Sequence, residues 1–296
     1  MPRFSLIIPT YNRAALLKRT LHSVFAQTFQ DFETLVVDDG SADETVSLLE
    51  SYADRVTALR QANRGPGSAR NLGVEHAQGE YVVFLDSDDL LLPWSLAVYD
   101  EVARAYGSAI ILSKPDKFSD EAAFLATQRE PLTVDTWPDY LAAARARYPI
   151  TVAAAVRTDV LRASGGFLEE NISSEDHDLF LRLGTAPGFA FVTSPVIYGY
   201  RQHEQTKTNE FTSLLQGVDF VLNRDRRGEY AGGAARRRER DVVLARMFRY
   251  GIKRCFETGY RAEGYQLFLK SAAYYPRAGF WRDLYRLPLA GFTRKS

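Results

Sequence analysis

The chain has 296 residues, 46% of them apolar and 25% charged, which excludes disorder, collagen and coiled coil as descriptions of the whole. One cysteine, Cys255, excludes an internal disulfide and any multi-cysteine metal cluster, and a reducing compartment suits it. The 37 basic and 37 acidic side chains cancel, but residues 1–223 carry 19 basic and 30 acidic groups while residues 224–296 carry 18 and 7.

Phe4–Pro9 is a short continuous apolar run, suited to a strand buried on both faces and too short for a secretory signal. Asn12 is placed to cap a helix on which Leu17, Leu21, Val24 and Phe25 share one face. A second strand, Phe32–Val37, runs into Asp38-Asp39-Gly40-Ser41. A helix over 42–52 and a short strand at 56–59 follow, and Gly65-Pro66 opens the next helix. Tyr81–Leu85 predicts a buried strand that ends in Asp86-Ser87-Asp88-Asp89. Residues 115–205 mix short elements, including Thr151–Val156 and Phe189–Tyr200, with a helix from about Ser174 that has Glu175, Asp176 and Asp178 in its first turn. Beyond about 207 the pattern is helical, with Arg224–Arg240 either a loop or the start of a basic helix. No stretch approaches the roughly 18 to 20 uncharged apolar residues of a membrane span.

Alternating strands and helices imply a mainly parallel sheet, whose ligands sit at the carboxyl ends of the strands. The clusters at 10–12, 38–39 and 86–89 all fall at such ends and should meet in one cleft. An isolated Asp-x-Asp is weak, since Asp176-x-Asp178 is a second one and a helix-capping turn explains either. Three carboxylates at the end of a buried strand are different, because burial without a cation is costly and Mg²⁺ takes oxygen ligands. Leu90 and the lack of a following glycine argue against an EF-hand. The first turn lacks GxGxxG and no GxxxxGK[ST] occurs, which argues against a dehydrogenase and a P-loop enzyme. A base ring would instead be held by Tyr11 stacking and by an Asp39 carboxylate accepting from an imide N–H. One of Asp38 and Asp39 caps the next helix, and Asp39 is read as the ligand-facing member because adjacent strand residues point oppositely.

Four runs, SLIIPTYNR (5–13), SVFAQTFQDFETLVVDDGSADET (23–45), NRGPGSARNLGVEHAQGEYVVFLDSDD (63–89) and GGFLEENISSEDHDLFLRL (165–183), together resemble a family-2 glycosyltransferase. The resemblance covers residues 4–205. It implies a GT-A type, Rossmann-like α/β fold with a mainly parallel sheet flanked by helices and followed by a helical C-terminal extension. It divides the chain into a catalytic domain at 1–205 (a nucleotide-sugar half at 1–113 and an acceptor half at 114–205) and a basic helical region at 206–296.

By the same resemblance, Thr10, Tyr11, Asp39 and Arg70 contact the nucleotide and Asp86 faces the ribose. Asp88 holds Mn²⁺ or Mg²⁺ on the diphosphate, with His203 as a looser further ligand, and Asp176 is the catalytic base. An inverting transfer from a nucleotide-sugar, UDP-linked, to a saccharide or lipid-linked glycan is implied. The alternatives are a non-catalytic sugar-nucleotide-binding protein and a sugar-1-phosphate nucleotidyltransferase, whose Gly-rich loop after the first strand is missing here. His22, His76 and His177 read as structural, though His177 would also suit the acceptor side. Gly165-Gly166 fits a helix C-cap or a close approach to the acceptor. The charge of 224–296, with Phe280-Trp281, Leu284, Leu287, Leu289 and Phe292, fits a solvated face or an anionic membrane surface. That places the protein in the cytoplasm, peripheral on the inner face of the plasma membrane. Nucleic acid is not expected, because no aromatic-interleaved basic motif accompanies the arginines.

Overall fold

A computed structural model describes residues 1–146, 153–169, 174–202 and 211–291 and divides the chain into two units. The first unit comprises Met1–Pro138, Pro149–Asn171 and Ala186–Thr206. Its first four strands are β1 (Phe4–Thr10), β2 (Phe32–Asp38), β3 (Thr57–Arg60) and β4 (Tyr81–Phe84), all mutually parallel and joined by helices α1 (Ala14–Phe25), α2 (Thr45–Glu50) and α3 (Pro66–His76). All seven residues of β1 are buried, because β2 and β4 flank it and helices cover the sheet, so its side chains show no polar alternation. Leu17, Leu21 and Val24 of α1 bury into the core beneath β1, with Phe25 packed at its margin.

The rest of the unit is built from β5 (Leu90–Leu91), α4 (Ser95–Tyr106), β6 (Ile110–Ser113), β7 (Asp116–Phe118), α5 (Glu121–Leu125) and β8 (Thr133–Trp137). It is completed by β9 (Ala154–Arg157), α7 (Thr158–Ala163), β10 (Phe189–Ser194) and β11 (Tyr198–Arg201). The large sheet has the order β3-β2-β1-β4-β9-β6-β10-β8, with β9 antiparallel to β4 and β6 and β8 antiparallel to β10. A small sheet, β5-β11-β7, lies directly after the acidic turn that ends β4.

The second unit joins Asp139–Tyr148 and Ile172–Thr185 to Lys207–Ser296. It holds α6 (Tyr140–Ala143), α8 (Glu175–Arg182), α9 (Phe211–Arg226), α10 (Arg237–Glu257), α11 (Arg261–Ser271), α12 (Tyr274–Ala278) and α13 (Asp283–Ala290). Residues 139–146 and 174–185, which precede 205 in the chain, thus belong to one unit with the C-terminal helices. No helix among the described residues is long and apolar enough to cross a membrane.

Three local expectations are corrected. Asn12 does not cap α1: it has φ +49° and accepts from the Ala42 N–H (2.8 Å), while the free Ala14 N–H of α1 donates to Asp43 Oδ2 (3.1 Å). That use of Asp43, whose other oxygen accepts from the Thr45 N–H (3.0 Å), is why α2 starts at Thr45 and not at 42. The span 189–200 is two strands in two sheets, since Pro195 has no N–H to continue a ladder. The helix start at Pro66 is as predicted, with proline in the first turn of α3.

Candidate active site

The β1–α1 turn is the centre of the site in the first unit. Thr10 O accepts from the Asp39 N–H (2.9 Å), which carries the β1–β2 ladder one step past β2. The Asn12 N–H donates to Ser41 Oγ (2.8 Å), and Arg13 forms an ion pair with Asp88. Thr10, Asn12 and Arg13 thus tie the end of β2 to the acidic turn after β4. The convergence expected of strand-end residues 10–12, 38–39 and 86–89 is observed, with Arg13 making the tie to the last of them.

The two aspartates at the end of β2 have different work, and neither caps α2 as expected, because that helix starts only at Thr45. Asp38 is buried, accepts from the Ser41 N–H (2.9 Å) and lies 3.3 Å from Arg60 Nε. Asp39 accepts three N–H groups: Gln61 Nε2 (2.8 Å), Arg64 N (2.9 Å) and Gly65 N (2.8 Å). Two of these are backbone donors at the entrance to α3, so Asp39 fixes that loop. A carboxylate has about four acceptor positions, so one remains for a ligand donor. Thr10 is buried and its hydroxyl has no hydrogen-bond partner, whereas the Tyr11 ring is 46% exposed beside it in sequence and available for stacking.

Asp86, Asp88 and Asp89 each present an oxygen within 4.8 Å of the others. The turn is held from below by Thr20 Oγ1, which donates to Ser87 O (3.0 Å) and Asp89 O (2.9 Å). From the small sheet, Arg201 donates its backbone N–H to Asp89 Oδ1 (2.9 Å) and its Nε–H to Asp88 O (2.7 Å). The buried Asp89 also accepts from Tyr198 Oη (2.7 Å). Burial, with the charges of Asp86 and Asp88, pushes its carboxyl up to about 8. Oxygen-only donors, crowded to this degree with a strand end behind them, fit a hard divalent cation.

Arg70 is buried, donates to Asp86 Oδ1 (2.7 Å) and lies over the Phe167 ring at 5.1 Å. Its position in α3 is fixed by neighbouring Asn71, which donates Nδ2–H to Phe167 O (2.9 Å) and accepts from the Phe167 N–H (2.7 Å). Of the Gly165-Gly166 pair, the first residue caps a helix and the second meets Asn71. Gly165 (φ +82°) closes α7, donating its N–H to Arg162 O at 3.1 Å. At Gly166 (φ +73°) a Cβ would lie 2.4 Å from Asn71 Oδ1, so the close approach is to the asparagine.

Asp176 belongs to the second unit. It is half-buried in the first turn of α8, after Ser174 at φ +90°. Asp178 is fully buried and accepts from Arg182 Nε (2.8 Å), Arg224 Nη1 (2.9 Å) and Tyr230 Oη (3.0 Å). That set anchors α8 to α9 and to the loop after it. Burial lowers the His177 imidazole to about 4, so it is neutral near pH 7. His22 and His76 are structural as read, bonded to Tyr52 Oη (3.1 Å) and Leu72 O (3.0 Å). Cys255 is buried, and burial raises its thiol to about 11, which leaves it inert. His203, the looser metal ligand, lies outside the described residues.

Sequence reasoning gave no role to Arg13, Arg201 or Asp178, and it counted Asp89 only as the third carboxylate of the turn. Arg13 and Asp89 lie inside the quoted runs, three residues after Thr10 and one after Asp88. Nothing local marks Arg201, whose partners are distant in the chain, and of the partners of Asp178 only Arg182, four residues on, is local.

A mainly parallel sheet with an acidic turn at its carboxyl edge and a capped aspartate two strands away defines a GT-A type nucleotide-sugar transferase fold. Residues 5–158 match the model of glycosyl transferase family 2, and the chain belongs to that family. It is 43% identical over 115 residues to the succinoglycan biosynthesis protein ExoW of Rhizobium meliloti, a match spanning 36% of this chain and 34% of that protein. An uncharacterized glycosyltransferase of Haemophilus influenzae is 27% identical over 224 residues, covering 73% of this chain and 75% of that one. The chain thus spans about a third of ExoW and three quarters of the second relative. Among solved structures, Staphylococcus aureus TarS 1–349 in complex with UDP-GlcNAc superposes with TM-score 0.62 at 21% identity, over 95% of this chain and 92% of that one. The Pyrobaculum calidifontis mannosyltransferase PcManGT, in complex with GDP-Man and Mn²⁺, does so with TM-score 0.54 at 18% identity, over 100% and 88%. At these identities the structural likeness concerns the fold.

Proposed function

We propose that the chain transfers a sugar from a UDP-linked donor to a saccharide or lipid-linked glycan acceptor with inversion at the anomeric carbon. The observation that carries this reading is the set of three carboxylates within 4.8 Å at the end of β4, tied through Arg13 to the turn that also bonds Asp39. The acceptor position left on Asp39 suits an imide N–H such as that of uracil. Tyr11 supplies a stacking face, Thr10 lies against the same ring, and Asp86, oriented by Arg70, faces the ribose. Arg70 reaches the nucleotide through that aspartate.

Asp88, with its acidic neighbours and with His203 as a further ligand, would hold Mn²⁺ or Mg²⁺. When bound, the ion supplies Lewis acidity to the diphosphate leaving group. Asp176 takes the proton of the acceptor hydroxyl as the new glycosidic bond forms, which is worth roughly 10² to 10⁴ in rate. One base, one leaving group and no covalent sugar–enzyme intermediate make a single displacement, hence inversion. Relatives named for succinoglycan biosynthesis and for glucosyl transfer to an undecaprenol-linked glycan support an acceptor of that class.

The test is a donor screen for nucleoside diphosphate release with Mn²⁺ or Mg²⁺, run beside Asp88→Ala and Asp176→Asn. Asp88→Ala is expected to weaken donor binding and transfer together. Asp176→Asn is expected to keep donor binding and lose transfer, which also separates an enzyme from a binding-only protein. Full transfer by both variants overturns the assignment.

A further inference from the structure

Part of the positive charge of residues 224–296 is used inside the second unit. Arg224 serves Asp178 and Glu229, Arg236 pairs with Asp139 (2.6 Å), and Arg240 donates to Gly233 O (2.6 Å) and Ala231 O (2.9 Å). Lys270 pairs with Asp219 (2.7 Å) and Arg277 with Asp241 (3.1 Å). These five groups are structural. Of the apolar residues near the end, Leu287 is buried, Phe280 and Leu284 are half-buried, and Phe292 lies outside the described residues.

A further set of exposed groups shares one face. Trp281, Tyr285 and Leu289, at i, i+4 and i+8 along α13 and the turn before it, are 64%, 55% and 59% exposed. They form an apolar stripe turned to water. Exposed Arg282 and Arg286 run beside it, one residue further on. On α10, Arg246, Arg249, Tyr250 and Lys253 share a face by the same spacing, and Phe280 lies under the guanidinium groups of Arg246 (5.9 Å) and Arg249 (6.0 Å). Two shallow clefts, of ≈ 380 Å³ and ≈ 340 Å³, share Arg249 and make the two helices one surface. Five cations line it against one carboxylate, Asp283, itself 3.3 Å from Arg249.

We infer that this face docks on an anionic bilayer surface, with Trp281, Tyr285 and Leu289 entering the headgroup region. Exposed aromatic residues sit at that depth because the ring is apolar and its edge polar. Cations placed within a Debye length of anionic lipid each add about 1 kcal/mol, so the charges and the stripe act together. A water-facing stripe with cations alongside is the pattern of an in-plane helix; a protein-binding patch would more often carry its charges at a distant rim. The inference concerns a surface apart from the donor site and does not depend on the donor chemistry.

The test is sedimentation of the full chain with phosphatidylcholine vesicles, with and without phosphatidylglycerol, in the absence of substrate. Binding is expected only with the anionic lipid and is expected to fall with salt. The exposed-residue variant Lys253→Gln/Arg282→Gln/Arg286→Gln should weaken it by roughly 10²-fold. Trp281→Ser/Tyr285→Ser/Leu289→Ser should abolish the part that survives high salt, with helix content unchanged by circular dichroism. Equal sedimentation with neutral vesicles overturns the inference, as does indifference to either variant. So does a dimer in solution that the second variant dissociates, which would assign the stripe to another copy of the chain. Donor binding is measured separately, so failure here and failure of the transferase reading are distinguishable.

Discussion

The chain contains two Asp-x-Asp sequences, and the structure puts them to opposite uses. Asp86-x-Asp88 lies on a tight turn after a strand, where successive carboxylates fold toward one point and Asp89 joins them. Asp176-x-Asp178 lies on a helix, where residues two apart differ by about 200° around the axis. One of that pair, Asp178, is therefore buried among two arginines and a tyrosine, and the other is only half-buried in the first turn. The same three letters make a crowded carboxylate cluster on one backbone and, on the other, a buried anchor beside a half-buried carboxylate. Local geometry decides, and composition does not.

The comparison can be broken or sharpened by substitution. The largest effect is expected for Asp176→Asn, a fall in transfer of roughly 10² to 10⁴ with thermal stability unchanged, read by product formation and melting temperature. If Asp176 were a second anchor, stability would drop instead. Asp178→Ala should show the reverse, a loss of about 3 kcal/mol in denaturant unfolding, since Arg182 and Arg224 are left charged without their carboxylate. Tyr198→Phe removes one of two protein donors to the buried Asp89 and should cost about 1–3 kcal/mol. Tyr230→Phe removes a donor from Asp178, which keeps both arginines, and should cost about 1 kcal/mol or less by the same unfolding assay. Equal losses in the two tyrosine variants would mean that the two buried aspartates are not differently provided for.

The parts of the fold legible in the sequence were those fixed by neighbours in the chain. The mostly apolar β1 run, the apolar face of α1, the proline start of α3 and the acidic end of β4 each follow from a local rule, and the strand-end argument then brought residues 10–12, 38–39 and 86–89 together. Asn12 misled because its side chain has two local options, and the choice was made by Asp43, thirty residues on. The antiparallel placement of β9 and the division of 189–200 between two sheets depend on which edges are open, a property of the assembled sheet. Asp178 was passed over for the same reason: its value lies in Arg224 and Tyr230, and no spacing within 174–182 announces them.

The carboxamide of Asn71 offers Phe167 one donor and one acceptor side by side, which is what a neighbouring strand offers each residue of a ladder. A single side chain there performs the pairing of a whole β-bridge. A carboxylate would set two acceptors against a carbonyl, and an aliphatic group would leave an amide and a carbonyl bare. The Gly165-Gly166-Phe167 segment is thus keyed to one functional group, and the ring that backs Arg70 is held in place by an amide rather than by hydrophobic contact alone.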